Sequence, residues 1–357
     1  MNYKILSDLV SFNTIEDLEN EKIIEYIKNY LEDMKFKVIT ISNKSNKKSL
    51  IATYGNHPNL CFIGHSDTVR CSNNWTTVPH KLTIKNDKMY GLGVCDMKGG
   101  IAAFLDALKE IDLNNIKNGI QIIITFDEEI GFEGINIVKT YRKEISNNIL
   151  IGEPTDLIPV IACKGCMEYK VKFKGKAVHS SRLIFGDNAI VSCMKFMQEL
   201  ISFSECLKTM KSNLFTDISY TTMNIGLING GTAINIVPDE CTLSFDFRTV
   251  SKEHHKLIKD KIKEILSKYN VEYELCTNIY PCRIKNQDSI NIIEKLTGNK
   301  SITASYVTEG NIILKDNTII LGPGPITAHE ENEYITCSSY QKTIDIYKKI
   351  INYYCKE

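Results

Sequence analysis

The clearest pattern in the chain is a run of apolar, β-branched residues, "GIQIIIT" at 119–125. It has no polar alternation, so it reads as a strand buried on both faces. Shorter apolar stretches predict strands at 36–41, 48–53, 59–63 and 148–152. Apolar spacing of three and four predicts helices over 19–34, 97–111 and 132–142. Strands alternating with helices argue for an open, mostly parallel α/β sheet covered on both faces.

The pattern then changes. Strands at 166–174, 218–229, 240–248 and 270–277, with helices over 187–207 and 251–268, follow the order β-α-β-β-α-β. That is a ferredoxin-like α+β unit. After 282, a helix (288–298), the strand "TIILG" (318–322) and a last helix (336–354) return to the first style. The expected architecture is therefore a discontinuous α/β domain, 1–165 with 282–357, interrupted by an α+β domain at 166–281.

Composition narrows the function. Lys+Arg and Asp+Glu both number 43 in 357 residues, which offers nothing to a nucleic acid or an anionic membrane. No run approaches 18 apolar residues and the N-terminus lacks a signal-peptide core, so a soluble cytoplasmic protein is expected. Twelve scattered cysteines predict free thiols. "CKGC" (163–166) has no second pair at zinc-finger spacing, which favours a structural role for Cys163 and Cys166. Arginines are few: Arg70, Arg142, Arg182, Arg248 and Arg283.

Candidate chemistry gathers at the ends of apparent strands. "LCFIG" runs into "HSDTV", where Asp67 could orient His65 for a metal, or both could be a polar strand end. Asp96 in "GLGVCDMKGG" precedes a helix, as an N-cap or as a ligand. "TFDEEIG" carries Glu128 and Glu129, "LIGEPTD" carries Glu153, and "LGPGPITAHEENEY" carries His329. In open α/β sheets this carboxyl edge is where ligands bind. Two imidazoles with several carboxylates suit Zn²⁺, Mn²⁺ or Co²⁺. Two such ions sharing a carboxylate can activate water and polarise a carbonyl.

Together, "GHSDTV", "YGLGVCDMKGG", "DEEIG", "IGEPT", "KAVHSS…GDNAI", "GGTAINIVP" and "GPG…AHEENEY" resemble one family. It is the metallopeptidase family of acetylornithine deacetylase and succinyl-diaminopimelate desuccinylase, and the resemblance spans nearly the whole chain in order. It implies His65, Asp96 and Glu153 on one metal and Asp96, Glu129 and His329 on the other, with Zn²⁺ first and Co²⁺ or Mn²⁺ as alternatives. It implies Glu128 as general base, Asp67 as the partner of His65, and a cis peptide at Asp96–Met97. It also implies that His179 reaches the active site of a homodimer partner through the inserted lid domain. Leu183 stands where a proline is usual, which affects the shape of that loop. Arg248, on the face of its strand opposite Leu243, Phe245 and Phe247, is expected to clamp a substrate carboxylate, with Asn235 assisting.

The implied activity is deacylation of an N-acyl amino acid. "IGEPTDLIPVIACKG", "TEG" (308–310) and "LGPGPITAHEENEY" look most like the acetylornithine deacetylases. That would yield ornithine and acetate in arginine biosynthesis, with Glu309 facing the substrate's side-chain amine. A desuccinylase, aminoacylase or dipeptidase of the same family is the alternative. A silent binding or scaffold protein is disfavoured because Glu128 and all five ligands are retained.

Overall fold

The structure is a computed structural model and describes residues 3–15, 18–141, 144–313 and 315–356. The chain divides into two compact units. One comprises Met1–Ile161, Arg283–Ile302 and Thr308–Glu357; the other comprises Ala162–Cys282 with Thr303–Val307. The second unit thus starts at Ala162, not 166. Ala162 is buried against Phe215 and Val250 of that unit, and no break in the apolar pattern marks the crossing.

The first unit is built on a mixed sheet. Strands lie in the order Lys37–Ser42, Lys48–Tyr54, Gly119–Thr125, Pro58–His65, Asn148–Ile151 and Asn317–Ile320. The central pairings, from Gly119–Thr125 to Asn317–Ile320, are parallel. The flanking pairings at Lys37–Ser42, Lys48–Tyr54 and Val160 are antiparallel. All seven residues of Gly119–Thr125 are buried, as its unbroken apolar run requires. On one face, Leu60, Phe62, Ile120, Ile122 and Leu150 join a core with residues of the helices Glu21–Asp33, Lys98–Lys109 and Cys337–Lys356. On the other face, Ser49 Oγ donates to Gly134 O of the helix Glu133–Tyr141. That helix was expected over 132–142; Arg142 lies outside the described residues.

Several elements escaped the pattern. A two-turn helix, Lys4–Ser11, buries Ile5, Leu6, Leu9 and Val10. Three three-residue strands, Thr83–Lys85, Lys88–Tyr90 and Tyr334–Thr336, form a small sheet of their own. Three residues are too few to display a strand period.

The glycines of "DMKGG" have a packing reason. A Cβ on Gly100 would lie 1.9 Å from the carbonyl oxygen of Gly152. The start of the helix Lys98–Lys109 therefore passes directly over the backbone that leads into Glu153. A side chain there would push apart two of the segments that carry acidic groups.

The second unit is a four-stranded antiparallel sheet in the order Thr222–Gly230, Glu240–Thr249, Gly165–Lys174, Val271–Ile279. This is the strand order of the expected ferredoxin-like unit. Its core joins Tyr169, Val171, Leu243, Phe245 and Phe247 to Phe196 and Leu200 of Ala189–Thr209 and to Ile258 and Ile262 of Lys252–Leu266. None of the twelve cysteines forms a disulfide. Among the described residues, no helix is long and apolar enough to cross a membrane.

Candidate metal centre

Eight of the expected site residues lie in the first unit. His65 is the last residue of Pro58–His65, and Glu128 and Glu129 follow Gly119–Thr125. Glu153 follows Asn148–Ile151, Asp96 precedes the helix Lys98–Lys109, and His329 lies in the turn after Asn317–Ile320. Because the central strands are parallel, their ends deliver these groups to one edge of the sheet.

Three groups of ligand atoms result, each within 4.8 Å of one another: His65, Asp96 and Glu153; Asp96, Glu129 and His329; and Glu128, Glu153 and Glu309. Asp96 is shared by the first two. His65 Nε2 lies 3.1 Å from Asp96 Oδ1 and 3.6 Å from Glu153 Oε1. His329 Nε2 lies 3.1 Å from Glu129 Oε2 and 3.4 Å from Asp96 Oδ2. The Asp96–Met97 peptide is cis.

The partner of His65 differs in one atom from the expected one. Its Nδ1 is 3.0 Å from the main-chain carbonyl of Asp67, and the Asp67 carboxylate is farther away, at 3.5 Å. A carbonyl only accepts, so Nδ1 carries the proton and Nε2 is the nitrogen that faces the acids. Asp67 also accepts from the Glu129 amide through Oδ2 at 3.2 Å, while its buried Oδ1 makes no hydrogen bond and is the atom 3.5 Å from His65 Nδ1. One residue thereby fixes both an imidazole and the turn that carries the paired glutamates.

Charge is concentrated here. Burial pushes the carboxyls of Glu128 and Glu153 well above their ordinary range, and that of Glu129 upward. Burial opposes ionisation of Asp96 too, but hydrogen bonds from His329 and His65 outweigh it and hold its carboxyl low. Burial would lower His65; Glu153, Asp67 and Asp96 reverse that and raise it. Hydrogen bonds to Asp96 and Glu129 raise His329 to about 10. Among the described residues, Asp96, Glu129 and Glu153 form ion pairs only with the two histidines.

Glu309 is fully buried at the start of the short helix Glu309–Ile313. Its Oε1 accepts from Thr125 Oγ1 at 2.6 Å, and its Oε2 is buried without a partner. Asp127, with φ +58, pairs with Lys47, so the outermost acid of "DEE" turns away from the ligand groups.

Sequence reasoning missed two buried residues. Lys98 donates to the Phe12 carbonyl at 2.8 Å, and burial pushes its ammonium down to about 7. Glu333 accepts three main-chain amides from residues 93–96. Its only sequence cue was a place four residues after His329.

His179, Asn235 and Arg248 lie in the second unit. His179 is exposed; its Nδ1 is 2.8 Å from Ser181 Oγ. Asn235 is its neighbour across a short contact, with Ser180 N donating to Asn235 O and His179 bridging Ile236. Arg248 is half-buried on the polar face of its strand and bonds Asp246 through Nε at 3.0 Å.

Residues 61–353 match the model of peptidase family M20/M25/M40. The chain belongs to this family. An acetylornithine deacetylase of Buchnera aphidicola subsp. Schizaphis graminum is 34% identical over 99% of this chain and 97% of its own. In fold, the M20 chain is similar to a tripeptidase from Staphylococcus aureus, with TM-score 0.80 and 23% identity over 98% of this chain and 99% of that one. It is also similar to a dinuclear metal-binding peptidase of the M20 family from Bacillus subtilis, with TM-score 0.68 and 12% identity over 98% and 97% of the two chains. M20 membership makes this chain a metal-dependent amidohydrolase.

The donor set suits two divalent cations. Buried carboxylates and two imidazoles converge, Asp96 is common to the two groups that contain a histidine, and no cysteine takes part. The neighbouring acids raise the imidazoles of both His65 and His329, and ligand atoms must shed protons to bind a cation. Loading with Zn²⁺ at pH 7 should release protons, and affinity should fall as pH drops. Titration calorimetry in buffers of different ionisation enthalpy measures this. Loading without proton release would contradict the assignment of these ligands.

Proposed function

We propose that this chain hydrolyses N-acetyl-L-ornithine to ornithine and acetate, with His65, Asp96 and Glu153 holding one divalent cation and Asp96, Glu129 and His329 holding a second. Zn²⁺ is the first choice of metal, and the cytoplasm the compartment. The observation that carries the reading is the position of Glu128. It adjoins a ligand of the second ion and lies within 4.8 Å of a ligand of the first, yet belongs to neither of the two groups that share Asp96. Such a carboxylate is free to move a proton.

When bound, the cations lower the pKa of water and polarise the amide carbonyl. Glu128 takes one proton from the attacking water as oxygen bonds to the acyl carbon. It returns that proton to nitrogen as the C–N bond breaks, the second proton of the water passes from the new carboxyl group to the amine, and acetate and the ammonium form of ornithine leave with Glu128 as it began. The desolvation that raises Glu128 suits both halves of this exchange. Asp67 keeps His65 in one tautomer through its main-chain carbonyl. Arg248 clamps the substrate carboxylate and Asn235 assists. Glu309, which is grouped with Glu128 and Glu153 and has one oxygen without a hydrogen bond, meets the side-chain amine directly or through water.

His179 donates a hydrogen bond to the developing oxyanion of a partner subunit. The second unit supports self-association: its edge strand Thr222–Gly230 exposes Leu227 and Ile228, and the helix Ala189–Thr209 exposes Ile190, Met194 and Ile201. An unpaired edge with apolar residues around it favours pairing with a second copy.

Amine release from N-acetylornithine, N-acetylmethionine, N-succinyl-diaminopimelate and a dipeptide tests the substrate. N-Acetylornithine should have the highest kcat/KM, and Glu309→Gln should lower it selectively, by roughly 10- to 150-fold for a contact of roughly 1.5–3 kcal/mol. A higher value for the succinyl compound or the dipeptide would overturn the substrate assignment. Glu128→Gln should retain both metals and lose roughly 10²- to 10⁴-fold in kcat. Near-normal turnover in the fully loaded variant would remove Glu128 from the proton-transfer role.

A further inference from the structure

We infer that Glu333 is a positioning residue that fixes the carboxylate shared by the two metal groups. The inference rests on the reading of Asp96 as a bridging ligand. Glu333 is only 2% exposed. Its Oε1 accepts the main-chain amides of Cys95 at 2.6 Å and Asp96 itself at 2.9 Å. Its Oε2 accepts the amide of Gly93 at 2.9 Å. Its own carbonyl accepts the amide of Gly91 at 3.2 Å. Glu333 thus gathers four amides of the turn that ends in Asp96, a turn that Gly93 enters at φ +78.

Its neighbours tie the same loop to other segments. Asn332 Oδ1 accepts the amides of Thr76 and Thr77 at 2.8 and 3.1 Å. Glu331 Oε1 accepts from Ser72 Oγ and Asn74 Nδ2 at 3.0 and 2.8 Å. Tyr334 pairs with Tyr90. His329, four residues before Glu333, faces Glu129 and Asp96. One short loop therefore carries a ligand of one metal and holds the backbone of the ligand common to both. Of its acids, only Glu333 reaches Asp96.

The chemistry of the contact makes this testable. A carboxylate has two accepting oxygens, and both are used here. A glutamine has one oxygen and one amino group. In either amide orientation, at least one of the three N–H groups faces another donor. The turn at 93–96 must then shift, and the Asp96 carboxylate moves with it. A side chain that serves folding alone would not tie this movement to both metals at once.

The probe is Co²⁺, added to the metal-free protein across a chelator-buffered series and read by its visible d–d absorption. Wild type, Glu333→Gln, Glu333→Asp and Glu331→Gln are compared, with far-ultraviolet circular dichroism confirming the fold. Glu333→Gln should weaken both Co²⁺ affinities together, by about 10- to 100-fold, and alter the Co²⁺ spectrum. Glu331→Gln, whose contacts end at Ser72 and Asn74, should match wild type. Two wild-type affinities in folded Glu333→Gln would overturn the inference, as would weakening at one ion alone. If neither Glu333 variant folds, the residue is a folding element and the positioning role is wrong. A wild type that binds a single Co²⁺ removes the shared-ligand reading itself, and this inference with it.

Discussion

Repulsion among carboxylates is the constraint around which the first unit is organised. Asp96, Glu128, Glu129, Glu153 and Glu309 crowd together in and beside the three ligand groups, with His65 and His329 as their basic neighbours. Burial makes each charge costly. Two divalent cations would offset four negative charges at once, which two imidazoles cannot do. The raised carboxyls of Glu128 and Glu153 and the raised imidazole of His329 are the protein's own response to that imbalance. The proton-transfer role proposed for Glu128 rests on the same crowding.

The fold meets this constraint with rigid parts. Parallel central strands end in His65 or lead into the turns of Glu129 and Glu153, which brings the three groups to one edge. The absence of a side chain at Gly100 lets the helix after Asp96 close over the Gly152 backbone. Asp67 then fixes His65 by a carbonyl and the 127–129 turn by a carboxylate.

Much of this was legible in the sequence because it is local. His65, Asp96, Glu129, Glu153 and His329 each follow an apolar run or precede a helical one, and their types state their chemistry. The ferredoxin-like order of the second unit could be read from alternation alone, as Leu243, Phe245 and Phe247 show. What could not be read depends on contacts distant in sequence. Glu333 bonds residues about 240 positions away, and nothing in "HEENEY" distinguishes it from Glu330 or Glu331. Lys98 looks like a surface lysine until the helix start places it under Phe12. The choice of carbonyl over carboxylate at Asp67 is a matter of half an ångström. The start of the second unit at Ala162 is set by packing on Phe215 and Val250, not by any turn residue.

The central claim is that one carboxylate, Asp96, joins two metal ions. Crystals of the Zn²⁺-loaded protein, with anomalous diffraction collected on both sides of the zinc edge, test it most directly. The account predicts two peaks roughly 3.5–4 Å apart, with Asp96 touching both. His65 and Glu153 should lie on one ion and Glu129 and His329 on the other. A single peak, or two peaks that do not share Asp96, would contradict it.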